Sequence, residues 1–155
     1  SGSSGTSGVI NLSNPGNNRI ITDIDGSSAN AEENLTFDGS VLSLNAYLET
    51  TSDRVEVNNG ATGAVFSGLS GTTYGGAIVD YIVYTTDRNN QRTGTVRIAA
   101  NASTALSAES STTDIGDTDG VVFNVTSGGG NFGLNVDNNS GSTIRVVYHV
   151  TRLKV

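Results

Sequence analysis

The stretch Ala77-Ile78-Val79-Asp80-Tyr81-Ile82-Val83-Tyr84-Thr85 decides the fold class. It is β-branched or aromatic at most positions, and such residues suit a pleated strand. Read at period two, Ala77, Val79, Tyr81 and Val83 make one wholly apolar face. Ile78, Asp80, Ile82 and Tyr84 make a second face that is mostly apolar too. A strand apolar on both faces is a strand covered on both faces. One cover is the core of its own domain. A neighbouring subunit is the candidate for the other, which makes Ile78, Asp80, Ile82 and Tyr84 a candidate subunit interface.

The same period runs through the rest of the C-terminal half. Val96 and Ile98 point inward from Thr95–Ala99, with a bulge expected at Gly94. Val121, Phe123 and Val125 alternate with polar partners, as do Phe132, Leu134 and Val136. Ile144, Val146, Tyr148 and Val150 form the last inward row. Beyond Thr151 the polarity inverts, with Leu153 and Val155 apolar and Arg152 and Lys154 charged. A bulge near Thr151, or a terminal segment packed elsewhere, accounts for that. Ala102 to Ile115 reads as a weak polar strand or pair of strands. Polar or Gly-rich loops at Asp87–Gln91, 127–131 and 138–141 punctuate the strands, the pattern of an antiparallel sandwich or barrel. Residues 72–155 are expected to fold and associate alone.

Upstream, Leu35-Thr36-Phe37 and Ser40-Val41-Leu42-Ser43-Leu44 flank Asp38-Gly39, a strong hairpin signal. A two-residue loop pairs Phe37 with Ser40 and Leu35 with Leu42. Leu35, Phe37 and Leu42 then share a face that an isolated hairpin needs covered. Arg19–Thr22 is a short strand between turns at 14–17 and 25–28. Arg54–Val57 alternates, and the small residues of Gly60–Gly71 read as a neck or linker. Ser1–Gly8, SGSSGTSG, reads as a flexible linker or tag remnant. The expected organisation is therefore 1–8, 9–71 and 72–155.

A net charge of −7 argues against nucleic acid as a partner, since a polyanion needs a basic surface. No apolar run is long enough for membrane insertion by a helix. The absence of Cys removes disulfides, thiolate metal sites and Cys nucleophiles together. With 35% hydrophobic residues and 20 glycines, a lone chain has a thin core, which points to an oligomer.

Candidate chemistry is sparse. His149 is the single His, on the polar face of the last strand, and no Gly-x-Ser-x-Gly elbow accompanies it. Asp114, Asp117 and Asp119 beside Gly120 are the best candidate for Ca²⁺, but EF-hand spacing fails and a solvated turn is expected. No metal or cofactor is predicted. Glu32-Glu33 and the pair Glu49 and Glu56 are the carboxylates to weigh for glycan hydrolysis. No Trp is present to make an aromatic sugar groove, and no enzyme is expected. The most polar loop, Asp87, Arg88, Asn89, Asn90, Gln91 and Arg92, carries the forks and amides that suit hydroxyl- or carboxylate-rich receptors, and it is the candidate receptor-binding site.

Several stretches resemble tail-fibre sequences of tailed bacteriophages. Asn18-Arg19-Ile20-Ile21-Thr22-Asp23-Ile24-Asp25-Gly26, followed by Ala29-Asn30-Ala31-Glu32-Glu33-Asn34-Leu35-Thr36-Phe37-Asp38-Gly39-Ser40, resembles a segment of fibre shafts. Gly75-Gly76-Ala77-Ile78-Val79-Asp80-Tyr81, Arg92-Thr93-Gly94-Thr95-Val96-Arg97-Ile98-Ala99 and Tyr148-His149-Val150-Thr151-Arg152 resemble a C-terminal fibre domain. The resemblance implies an all-β homotrimer, with a short β-hairpin shaft or neck preceding an antiparallel, jelly-roll-like β-sandwich head. It implies a place on the virion, other virion proteins as neighbours, and multivalent attachment to a host cell-surface glycan or protein receptor. A purely structural virion protein, a surface-polysaccharide depolymerase and a bacterial adhesin are the alternatives.

Overall fold

The computed structural model describes residues 11–13, 19–23, 28–45 and 47–155, with side chains from residue 34 onward. The turns expected at 14–17 and 25–27, the segment 1–8 and the side chains of Glu32 and Glu33 lie outside the described residues. The described chain is all β. It divides into two compact units between Ala46 and Tyr47.

The first unit holds β1 (Asn11–Ser13), β2 (Arg19–Asp23), β3 (Ser28–Phe37) and β4 (Leu42–Leu44). β3 is its centre, antiparallel to β2 and β4 and parallel to β1. The hairpin at Asp38-Gly39 forms, but its loop is longer than expected. Phe37 pairs with Leu42 and Leu35 with Leu44. The reason is the Asp38 side chain. Its Oδ1 accepts the backbone N–H groups of Ser40 (2.9 Å) and Val41 (2.7 Å), while its own N–H bonds the Val41 carbonyl. Those donors hold the Asp38 carboxyl below its ordinary pKa, Val41 contributing most. Gly39 takes φ +99° at the tip. The shift is by two residues, so Leu35, Phe37, Leu42 and Leu44 still share a face. Phe37 is 50% exposed and Leu44 45%.

The second unit is a sandwich. Its strands are β5 (Leu48–Val57), β6 (Ala61–Ser70), β7 (Tyr74–Thr85), β8 (Gln91–Ala100), β9 (Ala105–Ser111), β10 (Val121–Gly128), β11 (Asn131–Asn138) and β12 (Ile144–Lys154). Within it, five strands run antiparallel in the order β5-β12-β7-β8-β9, and three in the order β10-β11-β6. The strand β12 lies between β5 and β7, with Tyr148 opposite Asp53 on one side and Tyr81 on the other.

Valine is the commonest residue of the core between the sheets. Val79, Val83, Val96, Val136, Val146, Val150, Ile144, Leu134 and Phe132 are buried, and they are the residues whose alternation marks them as inward. Two ring contacts fill its thickness: Phe66 meets Phe132 edge-on with centroids 6.1 Å apart, and Tyr81 reaches across to Phe123 at 4.4 Å. Gly94 is not a bulge. It sits in register opposite Tyr81, and a Cβ there would come within 2.6 Å of the Tyr81 hydroxyl and the Ser110 carbonyl. The glycine leaves room for the ring.

Two expectations are corrected. First, Gly60–Gly71 is not a linker, because β6 pairs along its length with β11. Its small residues serve close packing: Gly63 lies against Val57, and the backbone of Phe66 lies against Gly133. A bulge leaves Val65 unpaired and turns it and Phe66 both into the core. Second, β12 does not change phase at Thr151. Its pairing with both neighbours is continuous through Leu153, and the register shift falls between Leu153 and Lys154. Arg152 therefore lies on the core side, and only its chemistry breaks the pattern.

The boundary follows from these pairings. β5 supplies a full ladder to β12 and β6 completes the second sheet, so a chain of residues 72–155 loses one strand from each. Residues 47–155 are expected to unfold in one cooperative urea transition, whereas 72–155 should show none. Equal cooperativity in both would contradict this assignment.

Candidate functional site

The expected receptor-binding loop divides in two. Asp87, Arg88 and Asn89 are exposed at the β7–β8 turn. Asp87 is engaged locally, accepting from the Thr85 hydroxyl (2.5 Å), the Asn89 N–H (3.1 Å) and the Asn89 amide (2.9 Å). Its carboxyl is held below its ordinary pKa, chiefly by Thr85. Arg88 adopts φ +60° and lies 5.3 Å from the Tyr84 ring. Asn90 is turned inward, its Oδ1 accepting the Asp117 N–H at 2.9 Å.

Gln91 and Arg92 are not loop residues. They begin β8, and the Arg92 side chain is only 9% exposed. Its Nη2 donates to the Val121 carbonyl (2.7 Å) and Glu109 (3.2 Å). Its Nη1 donates to the carbonyl and hydroxyl of Thr118 (3.1 and 3.2 Å), and its Nε to the Tyr81 hydroxyl (3.2 Å). Tyr81 in turn donates to Glu109. Burial and the bond to Glu109 push the Tyr81 hydroxyl up to about 12, against a smaller opposing pull from Arg92. Arg92 thus ties β8 to the start of β10, and it has no donor to offer a receptor.

The acidic turn is similarly occupied. Asp114 accepts from the backbone and hydroxyl of Thr118, and Asp117 accepts the Asp119 N–H at 3.0 Å. Among the described residues no three His, Cys, Asp or Glu side chains are grouped to hold a metal. Glu49 and Glu56 are an odd number apart on β5, so they lie on opposite faces and cannot act as a pair. Glu49 is on the core side. It accepts from Tyr74 at 2.8 Å, pairs with Lys154, and lies 3.8 Å from Arg152. Desolvation pushes its carboxyl up, but these three partners together bring it below its ordinary pKa. Glu56 pairs on the outer face with Arg145 at 2.7 Å.

The outer face of the five-stranded sheet is open, as is that of the three-stranded sheet, where Val122 is exposed. The odd residues of β7 from Ala77 onward are buried, while Asp80 and Ile82 are exposed and Ile78 and Tyr84 half-buried. Ile82 and its neighbour in register, Val147, are each 39% exposed. Two residues along, Ser52, His149 and Asp80 stand in one row across β5, β12 and β7. Both ring nitrogens of His149 are bonded to hydroxyls, Nε2 to Thr50 (2.7 Å) and Nδ1 to Ser52 (2.9 Å). Thr95 donates to Asp80 at 2.6 Å, which extends the row into β8. The sequence contained the signal for this face, since the polar members recur at period two, but their adjacency depends on the register of four strands.

No model of a known protein family matches the chain, and no curated protein matches it. Among solved structures it is similar to the tailspike protein gp49 of Acinetobacter baumannii bacteriophage Fri1, a capsular polysaccharide depolymerase. The identity is 13% and the TM-score 0.40, over 68% of this chain and 18% of that one. It is also similar to the tailspike of Acinetobacter phage vB_ApiP_P1, with 15% identity and a TM-score of 0.33, over 79% of this chain and 24% of that one. The chain spans roughly a fifth to a quarter of the length of those proteins. Likeness at that level bears on neither activity nor partner.

Arg92→Met should cost about 3 kcal/mol in urea unfolding, because it leaves the Thr118 and Val121 carbonyls without their donor and Glu109 without its cation. A loss below about 1 kcal/mol would show that the junction does not need the cation. Tyr81 gives a pH test. Its folded pKa lies above the ordinary 10, so its stabilisation is whole below pH 10 and is lost as pH rises toward 12. Tyr74, Tyr148 and Lys154 are raised as well, so Tyr81→Phe should lessen the alkaline fall in the unfolding midpoint, and an unchanged fall would contradict the coupling.

Proposed function

We propose that the chain is a receptor-binding segment of a tail fibre or tailspike, carried on the virion of a tailed phage, that attaches to the host cell surface without cutting it. The observation that carries this reading is the open outer face of the second unit's five-stranded sheet. That face is rigid, regular and partly apolar, and its polar row is already oriented by internal hydrogen bonds. The resemblance of the quoted stretches to fibre sequences supports it. So does the arrangement of Glu49 and Glu56, which faces one carboxylate to the core and ties the other to Arg145, and so does not supply a hydrolytic pair.

In this reading the chain works as a homotrimer. The hairpin face with exposed Phe37 and Leu44 is what the copies bury in one another, since a sheet face needs a second layer to cover it. Three weak sites on one assembly then gain avidity through effective concentration. A second reading, a structural virion protein that binds no receptor, is favoured by the exposure of Ile82 and Val147 if copies meet at that face instead.

Light scattering after size exclusion should give about three times the 15.9 kDa chain mass. Phe37→Ser with Leu44→Ser should lower that mass while leaving the second unit folded. Fluorescently labelled trimer should adsorb to cells of the phage's host and lose adsorption when monomeric. A wild-type monomer would sink the trimer, and a trimer that ignores cells would favour the structural reading.

A further inference from the structure

Three neighbouring depressions lie along the open sheet face, of about 320, 400 and 270 Å³. Thr93 is in the wall of all three. Asp80 is shared by the first and second, and Thr112 by the second and third. Their shared walls make one trough from Ser52 on β5 to Ser110 on β9. Four strand spacings separate those ends, about 19 Å.

The lining alternates in chemistry as the strands alternate in register. Ile82 and Val147 form an apolar strip. Beside it runs the polar row of His149 and Asp80, continued by Thr95 and Ser110. The polar groups are held before any ligand arrives. Thr50 and Ser52 fix the imidazole, and Thr95 takes one oxygen of Asp80, leaving Oδ2 without a hydrogen bond among the described residues. A few oriented polar groups beside an apolar floor is the usual make-up of a small-ligand site. A protein interface core would instead offer contiguous apolar and aromatic surface. A sugar ring, with hydroxyls on its rim and C–H groups on its faces, matches both strips.

Charge narrows the class. Arg54 lies in register with Val147 and Arg97 with Ile78, so the two flank the polar row on either side. Neither is in an ion pair among the described residues, whereas Arg92, Arg145, Arg152 and Lys154 all are. In a chain of net charge −7 that is a local excess of free cations, and the guanidinium fork suits a carboxylate. We propose that this trough binds an acidic oligosaccharide. Asp80 accepts sugar hydroxyls, and Arg54 and Arg97 take the carboxylates. Asp80 is the sole carboxylate in the trough wall, so the site holds glycan without the pair that hydrolysis requires. This inference rests on the attachment reading for its biological sense, but its test does not use cells.

The chain has no Cys, so Ser110→Cys places a sole thiol in the trough wall of the full chain. A maleimide dye should label it readily. Alginate oligosaccharide, rich in uronate carboxylates, should slow labelling several-fold, and neutral dextran oligosaccharide should not. Adding Arg54→Gln and Arg97→Gln to the labelled variant should abolish the protection, with the circular dichroism spectrum unchanged. No protection by either sugar would overturn the proposal, and equal protection by dextran would overturn its acidic class. A thiol unreactive in the assembled chain, but reactive once the chain is diluted to monomer, would show that a second copy occupies the trough. Failure here with intact cell adsorption would leave attachment standing and move the site elsewhere.

Discussion

The structure depends on one pairing constraint. The strand β12 has no free edge: over ten residues it satisfies β5 on one side and β7 on the other. Every backbone donor and acceptor of its central run is answered within the sheet, so its register is fixed twice. That double fixing carries the inward rows of β5, β7 and β12 into alignment, stacking Val55, Val146 and Val83 together and Tyr148 beside Tyr81. It aligns the outward rows at the same time. The core and the open face are two results of one ladder. The pairing is also non-local, since β12 closes against strands some sixty to a hundred residues earlier in the chain, which predicts slow folding for a unit of this size.

The sandwich is closed at one end by polar contacts in place of apolar ones. Where the valines run out, Arg92 spans from the sheet to Thr118 and Val121. At the other side Asn138, fully buried, donates to the carbonyls of Val57 and Ser142 and accepts from Ser140. Groups like these carry a high penalty when unmet and a modest gain when met. They specify which strand ends meet, and the apolar core supplies the bulk of the driving force.

Much of this was legible in the sequence. The two-faced strand at Ala77–Thr85 and the inward rows of β8, β10, β11 and β12 follow from strict period-two alternation, which is a local property. What could not be read is what depends on distant partners. Ala61-Thr62-Gly63-Ala64 looks like a linker because it lacks bulk, yet its lack of bulk is what lets β6 lie against Val57 and Gly133. Arg92 ends a polar run and reads as a loop residue, but its acceptors are 11 to 29 residues away in sequence. Arg152 and Lys154 look like a change of phase because their partner, Glu49, is about a hundred positions earlier. The Asp38-Gly39 hairpin was legible in kind and missed in register, because one carboxylate oxygen does the work of a further turn residue. The open face was legible as a set of residues, but its order into rows was not.

The alternation along β7 and β12 has a consequence for how such a protein changes over generations. Odd positions on β7 answer to the core, where a lost methylene is felt, while even positions answer to whatever lies outside. Exposed substitutions away from special features shift stability by no more than about 0.5 kcal/mol. Residues such as Ser52, Thr95 and Ser110 can therefore vary one at a time while the scaffold stays the same. A surface laid out on strands in this way can drift by single steps, each leaving a folded chain for selection to act on.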